Sequence, residues 1–353
     1  MSEPLFLVVR LGSLGDIVHT FPAVSALRES FPYAQIVWLT HPRWKPLVES
    51  SSLASEIWTV DTRSFASIRE TLKHIRQIPW TASVDYQGLW KSAALPFFGG
   101  ISKRIGFSSH TIREFGVPIL YNERVHATQK HIAAQNGELS IRAGASEDSA
   151  PFTLSIPPEA QAATRGILRE AQIDRYIVLS PGGGWLSKCW PAERFGALCQ
   201  KIDTQLGLRC VVNYGPGEES LANTVRANSG KAAPLLYDGG LQELMAILRN
   251  ALCIVGGDTG PLHLAVAIRT NAVGLFGPTD PDRNGPYPND ASPRGVVSET
   301  RPHPATASLK NIVLRSRTAP TTLKRGNQPD PSILELTVEE VFEAVRRCIG
   351  AAA

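Results

Sequence analysis

The sequence predicts an α/β protein of two successive units, each a parallel sheet packed between helices. Three observations predict it. Short apolar runs recur along the chain, each leading into a glycine-bearing loop and then a helix-period segment, the grammar of parallel strand–helix units. The runs are continuously apolar rather than alternating, as strands buried on both faces are. The length, 353 residues, exceeds what one core usually holds, so two domains are expected.

The elements follow in order. Leu5–Val9 is the first strand; Gly12, Gly15 and Asp16 come next, and a helix with Ile17, Phe21, Val24 and Leu27 on one face continues to Phe31. Residues 36–39 and 56–60 read as strands, 68–78 as a helix, and 82–86 as a strand entering QGLWKSAAL (87–95). Residues 146–158, polar and proline-bearing, are the candidate hinge, and a helix over 159–171 follows. Then the grammar restarts. Tyr176–Ser180 leads into PGGGW and a helix over 192–206, and 209–214 into GPGEE and a helix from Glu219. Residues 252–256 lead into GDTGP and a helix from Leu262, and Ala272–Phe276 into GPTDP. The segment 297–332 breaks the pattern: six basic and two acidic residues, several prolines and little periodicity read as an irregular basic insertion or long surface loop. Residues 335–349 read as an amphipathic helix with Leu336, Val338, Val341, Val345 and Ile349 on one side. The expected domains are 1–155 and 156–335, with a terminal helix in 335–353.

Composition narrows the function. Lys+Arg 36 against Asp+Glu 32 leaves +4, too mild for a nucleic-acid binder. Five scattered cysteines without CxxC spacing fit reduced, buried thiols better than a disulfide frame or a zinc site. Five apolar residues before Arg10 are too few for a signal-peptide core, and no stretch approaches the ~18 apolar residues of a membrane span. A soluble, cytoplasmic protein is expected.

In open parallel sheets, ligands bind beyond the carboxyl ends of the strands, where these glycines fall. RLGSLGD (10–16) puts Asp16 at a helix mouth, either as an N-cap or as a general base aimed at a substrate hydroxyl. GGDTGPLHLA (256–265) supplies Asp258, Thr259 and Gly260 at a second helix start, a site for a diphosphate or an ordinary capped helix; His263 follows in the first turn. In PGGGWLSKCWP (181–191), three glycines suit close backbone approach to a ligand, while Trp185 and Trp190 read as packing residues. Lys188 either neutralises a leaving phosphate or is a surface lysine. GPGEE lacks the third glycine of a dinucleotide fingerprint; Glu218 either pairs with ribose hydroxyls or caps a helix. Gln87 and Lys91, with Arg63, Arg69, Lys73, His74 and Arg76, form either a face for an anionic acceptor or a solvated helix surface. The D-x-D at Asp280 and Asp282 lies in a proline-rich turn and reads as no metal site.

Taken together and in this order, RLGSLGDIVHTFPA, VDYQGLWKSAAL, PGGGWLSKCWP, GPGEES and VGGDTGPLHLAVAI with GLFGPTDP resemble the heptosyltransferases of lipopolysaccharide inner-core synthesis. The resemblance extends over nearly the whole chain up to about residue 290. It implies a GT-B fold, two Rossmann-like domains facing a central cleft, and inverting heptose transfer with no metal or other cofactor. By position, Asp16 matches the catalytic base and Lys188 the lysine that stabilises departing ADP. Gly183, Gly184, Glu218, Asp258, Thr259, Gly260, Leu262 and His263 match the donor site, and Gly15, Arg63, Gln87 and Lys91 the acceptor side. Gly183 and Gly184 stand where some inner-core enzymes carry hydroxyl residues, so backbone groups would serve the phosphates. QGLWKSA resembles the acceptor segment of the member that adds the first heptose. ADP-heptose and Kdo-lipid A are therefore the expected partners, with the protein a monomer at the cytoplasmic face of the inner membrane. An aspartate near its ordinary pKa of ~3.9 is a weak base at neutral pH, so either a late proton transfer or a cleft that desolvates Asp16 on closing is expected. Addition of a second heptose, another nucleotide sugar and a non-catalytic nucleotide-binding module are the alternatives. The segment 297–332 has no counterpart in the family.

Overall fold

The eight apolar runs do form parallel strands and, with four further strands that no run announced, make two sheets of six among the described residues. A computed structural model of the chain describes residues 3–112, 114–287, 309–322 and 326–350. The chain divides into two compact units, one of residues up to Ser155 and one of residues from Ile156.

In the first unit the strands are β1 (Leu5–Val9), β2 (Gln35–Thr40), β3 (Glu56–Thr59), β4 (Ala82–Asp85), β5 (Arg104–Phe107) and β6 (Glu123–Val125). Their order is β3-β2-β1-β4-β5-β6, all neighbours parallel. In the second unit β7 (Tyr176–Ser180), β8 (Arg209–Asn213), β9 (Leu235–Tyr237), β10 (Cys253–Gly257), β11 (Ala272–Phe276) and β12 (Asn311–Arg315) lie in the order β12-β11-β10-β7-β8-β9. Counted from each unit's first strand, the two orders are the same: the first strand lies between the second and the fourth. The connection reverses direction there, which opens a crevice for ligands at that strand's carboxyl end. The central strands are buried on both faces, with Leu7, Val8, Val9, Ile177, Val178 and Leu179 each 0% exposed.

Several expectations are corrected. The helix expected to run from Ile17 to Phe31 is two helices, Leu14–Val18 and Phe21–Ser30. Pro22 has no N–H to continue the first helix, and the Thr20 hydroxyl donates instead to the Asp16 carbonyl at 2.8 Å. Part of the segment expected to be irregular, 297–332, is strand β12, paired residue for residue with β11. It is a half-buried edge strand between Lys310 and Arg315, so it lacks the uninterrupted burial that announces the central strands. Residues 297–308 and 323–325 of that segment lie outside the described residues. The C-terminal helix starts at Val338, three residues later than expected. Thr337 caps it in a reciprocal box with Glu340, and the Leu336 carbonyl, just outside, accepts from the Trp190 indole at 2.9 Å. The cysteines are free and buried. Among the described residues, no helix is long and apolar enough to cross a membrane.

Candidate active site

At the carboxyl end of β1 the chain must turn sharply, and Gly12 makes the turn. Its φ is +151°, and a Cβ there would lie 2.7 Å from the Trp44 indole nitrogen. Asp16 follows, at the third position of helix Leu14–Val18; Ser13 is the N-cap, so the N-cap reading of Asp16 is corrected. Its Oδ2 accepts from the Ser13 N–H at 3.0 Å and the Ser13 hydroxyl at 2.9 Å, and its Oδ1 lies 2.7 Å from Arg10 Nη2. Arg10 is buried at the end of β1 and also donates to the Tyr86 carbonyl. The guanidinium is therefore fixed at one end by backbone and aims the carboxylate with the other. The Asp16 side chain is 45% exposed against 6% for Arg10. The carboxylate is thus an oriented, ion-paired group with one side in solvent.

The loop after β4 braces this turn. The Gln87 amide oxygen accepts from the Leu11 N–H at 2.7 Å, tying two loops that lie 76 residues apart in sequence. Gln87, expected to face the acceptor, has its oxygen engaged in positioning. Asp85, fully buried, organises the same loop. It accepts from the Tyr121 hydroxyl (2.6 Å), the Gln87 N–H (2.9 Å), the Ser92 hydroxyl (2.8 Å) and the Gly88 N–H (3.3 Å). Burial pushes its carboxyl above the ordinary range, and these four donors only partly oppose that. Lys91 is exposed in the first turn of helix Trp90–Phe98. Gly15 is buried inside Leu14–Val18 and offers backbone only. Arg63 is exposed beyond β3, the edge strand two places from β1, outside the Asp16 network.

The second unit brings its expected residues together more tightly. Lys188 ends a short 3-10 turn, and its ammonium lies 3.2 Å from Asp258 Oδ2 and 5.1 Å from the Trp185 ring centroid. His263 Nε2 is 3.0 Å from Asp258 Oδ1. Burial pushes the Asp258 carboxyl up, but the His263 hydrogen bond and then the Lys188 charge outweigh it and hold the pKa at about 2. An ionised Asp258 can only accept, so His263 carries its proton on Nε2. Lys188, with 14% of its side chain exposed, is an anchored cation and not a surface lysine, and Trp185 is its platform rather than packing.

Thr259 is the N-cap of helix Gly260–Ala267, yet its hydroxyl makes no capping bond and is buried without a hydrogen-bond partner among the described residues. The first-turn N–H groups of Gly260 and Leu262 have no acceptor within the helix, which favours an anion there. The Leu262 side chain is fully buried, so this residue can offer a ligand only its N–H. Glu218 stands at the N-cap of Glu219–Ala227 but does not cap it. Its Oε2 accepts from the Gly215 N–H at 2.8 Å, and a Cβ on Gly182 would come within 2.3 Å of its carboxylate. The glycine run therefore divides. Gly182 makes room for Glu218, and Gly183 packs where a Cβ would sit 3.0 Å from Cys189 Sγ and 3.1 Å from Thr259. Only Gly184 borders open space.

Residues that carried no motif also shape the site. Ser187 exchanges hydrogen bonds with Gly326 and accepts from the Asp330 N–H at 3.1 Å, so the end of the supposed insertion straps the Lys188 turn. Arg10 stood in a motif, but nothing in the sequence gave it Asp16 as partner. Asp280 caps a short helix, its Oδ1 accepting from the Asp282 N–H at 3.0 Å. The described residues contain no group of three or more His, Cys, Asp or Glu side chains arranged for a metal ion.

One sheet thus carries an anchored ammonium and a bare helix start, and the other an oriented carboxylate. Comparison with known proteins carries the assignment further. The profile of glycosyltransferase family 9 (heptosyltransferase) matches residues 68–311, and the chain belongs to this family. It is 28% identical to lipopolysaccharide heptosyltransferase 1 of Escherichia coli K12, over 80% of the chain and 90% of that protein. It is 25% identical to heptosyltransferase 3 of the same strain, over 75% and 80%. In fold it is similar to the E. coli heptosyltransferase WaaC solved with ADP, with a TM-score of 0.72 at 22% identity over 97% of this chain and 99% of that one. The two sheets have the Rossmann-like order of a GT-B fold, and the enzyme is a glycosyltransferase of the heptosyltransferase family.

Proposed function

We propose that this enzyme moves a heptose from ADP-heptose to the Kdo of Kdo-lipid A, inverting the anomeric centre, with Asp16 as general base and no metal. Asp16 takes the proton of a Kdo hydroxyl through the side of its carboxylate that faces solvent, while Arg10 and Ser13 hold the other side. The hydroxyl oxygen attacks the anomeric carbon from the face opposite ADP, the carbon–phosphate-oxygen bond breaks, and ADP leaves with the electron pair. In the second unit the diphosphate sits at the start of helix Gly260–Ala267, with Lys188 answering the developing charge. The orphan Thr259 hydroxyl and the Gly184 backbone complete that cradle, and Glu218 holds the ribose. Gly183 shapes the loop, and Asp258 with His263 holds Lys188. On the acceptor side Lys91 and Arg63 meet anionic groups, and Gln87 and Gly15 keep the Asp16 turn in place. The reading includes a monomer working at the cytoplasmic face of the inner membrane.

The observation that carries the proposal is the half-exposed Asp16 carboxylate, fixed from behind by a buried arginine. Transfer from ADP-heptose to Kdo-lipid A, with and without EDTA, tests it: Asp16→Asn should lower turnover about 10³-fold, within the usual range for a general base, and EDTA should change nothing. Near-normal turnover in folded Asp16→Asn removes the base. The comparable identity to heptosyltransferase 3 favours a second reading, a heptosylated core acceptor, and transfer to that substrate in place of Kdo-lipid A would select it.

A further inference from the structure

The exposed large apolar side chains are not spread evenly. Of eleven among the described residues, Trp90, Phe97, Phe98, Phe115 and Ile119 lie on helix Trp90–Phe98 and on the loop and short turn that pack against it. Phe115 is 100% exposed and Ile119 70%. Trp90 joins the two pieces: its indole donates to the Phe115 carbonyl at 3.2 Å and its N–H to Glu114 at 2.7 Å. Along the helix, positions 90, 94, 97 and 98 share one side. An uncovered aromatic cluster of this kind marks an interaction surface.

The surroundings of the cluster identify its partner. The Arg104 guanidinium lies 5.2 Å from the Phe97 ring centroid, and Arg76 donates twice to the Phe98 carbonyl. Arg69, Lys73 and Lys91 are exposed on the two helices that pack here, and Lys103 lies beside Arg104. Glu70 and Glu114 are the carboxylates on the same elements, and Glu114 is engaged by Trp90. A second copy of this chain would bring cations against cations. An anionic bilayer satisfies both halves, taking the rings into its interfacial layer and its phosphates onto the cations.

We infer that this face docks the enzyme on an anionic membrane surface. The helix starts at the carboxyl edge of β4, beside the loop that braces Asp16, so docking here keeps the acceptor edge at the bilayer where a lipid-linked sugar resides. The inference deepens the proposed function and rests on it for the choice of a lipid partner.

Flotation of the full chain with vesicles tests it. Wild type should float with phosphatidylethanolamine–phosphatidylglycerol vesicles, less so as salt rises, and poorly with phosphatidylcholine alone. The combined variant Phe98→Ser, Phe115→Ser, Ile119→Ser should partition about tenfold or more weakly, with the melting temperature and turnover on a deacylated, soluble acceptor unchanged. Equal flotation of variant and wild type overturns the inference. So does self-association without vesicles that the same substitutions abolish. A wild type that transfers to the soluble acceptor but never floats overturns the surface and leaves the function standing. One that floats on anionic vesicles without transferring supports the surface and overturns the function.

Discussion

Asp85 and Asp258 occupy matching places, each at the carboxyl end of the fourth strand of its sheet beside the first, and both are buried. Their carboxyls are nevertheless driven in opposite directions. Asp85 is held by two hydroxyls and two backbone N–H groups, and burial pushes its pKa up. Asp258 meets an ammonium and an imidazole, which overcome burial and hold it at about 2. The difference lies in the partners rather than the depth. A carboxylate held by neutral donors knits a loop, whereas one held by an ammonium and an imidazole stays ionised and fixes that ammonium. Asp16 is a third case, paired with the buried Arg10 and open to solvent on one side.

Lys188→Ala offers the largest way to break this comparison. If the ammonium answers leaving-group charge, turnover should fall about 10²–10³-fold with the fold intact, measured by steady-state transfer from ADP-heptose. Unchanged rate and donor affinity would reduce Lys188 to an ion-pair partner. Next, the two buried aspartates should give different acid limbs in thermal unfolding. The lowered pKa of Asp258 means the folded state binds fewer protons there, so its stabilisation is complete above about pH 4 and is lost as pH falls toward 2. The amount is about 2 kcal/mol, and Asp258→Asn should flatten that loss. Asp85 runs the other way: its raised pKa means stability declines as pH rises through the folded value, and Asp85→Asn should remove that decline. A common effect of both substitutions would erase the distinction. The smallest effect belongs to Gln87→Ala, which frees the Leu11 N–H and should cost about 1 kcal/mol in chemical denaturation, with turnover lowered through the looser Asp16 turn.

The sequence announced the parts of the fold that burial makes uniform. The strands from Tyr176 to Ser180 and from Ala272 to Phe276 have the extents their apolar runs predict. The short edge strands β6 and β9, and β12 among its basic residues, hold apolar runs of at most three residues, too short to announce a strand. At the site, residue types were legible and partners were not. Lys188 stood in one motif and Asp258 with His263 in another, 70 residues apart, and only folding shows that one carboxylate joins all three. The glycine run was legible only in part, because a Cβ on two of its three members would meet Glu218, Cys189 and Thr259, and close approach to protein leaves the same mark in a sequence as close approach to a ligand. Arg10 escaped notice because its value lies in a 2.7 Å contact that residue spacing does not encode.

The most direct measurement is ADP binding and heptose turnover taken together on Asp16→Asn. A base in one unit and a donor cradle in the other require the Kd for ADP to stay at the wild-type value while turnover falls about 10³-fold. ADP affinity and turnover declining in step, or both holding, would contradict that division of labour.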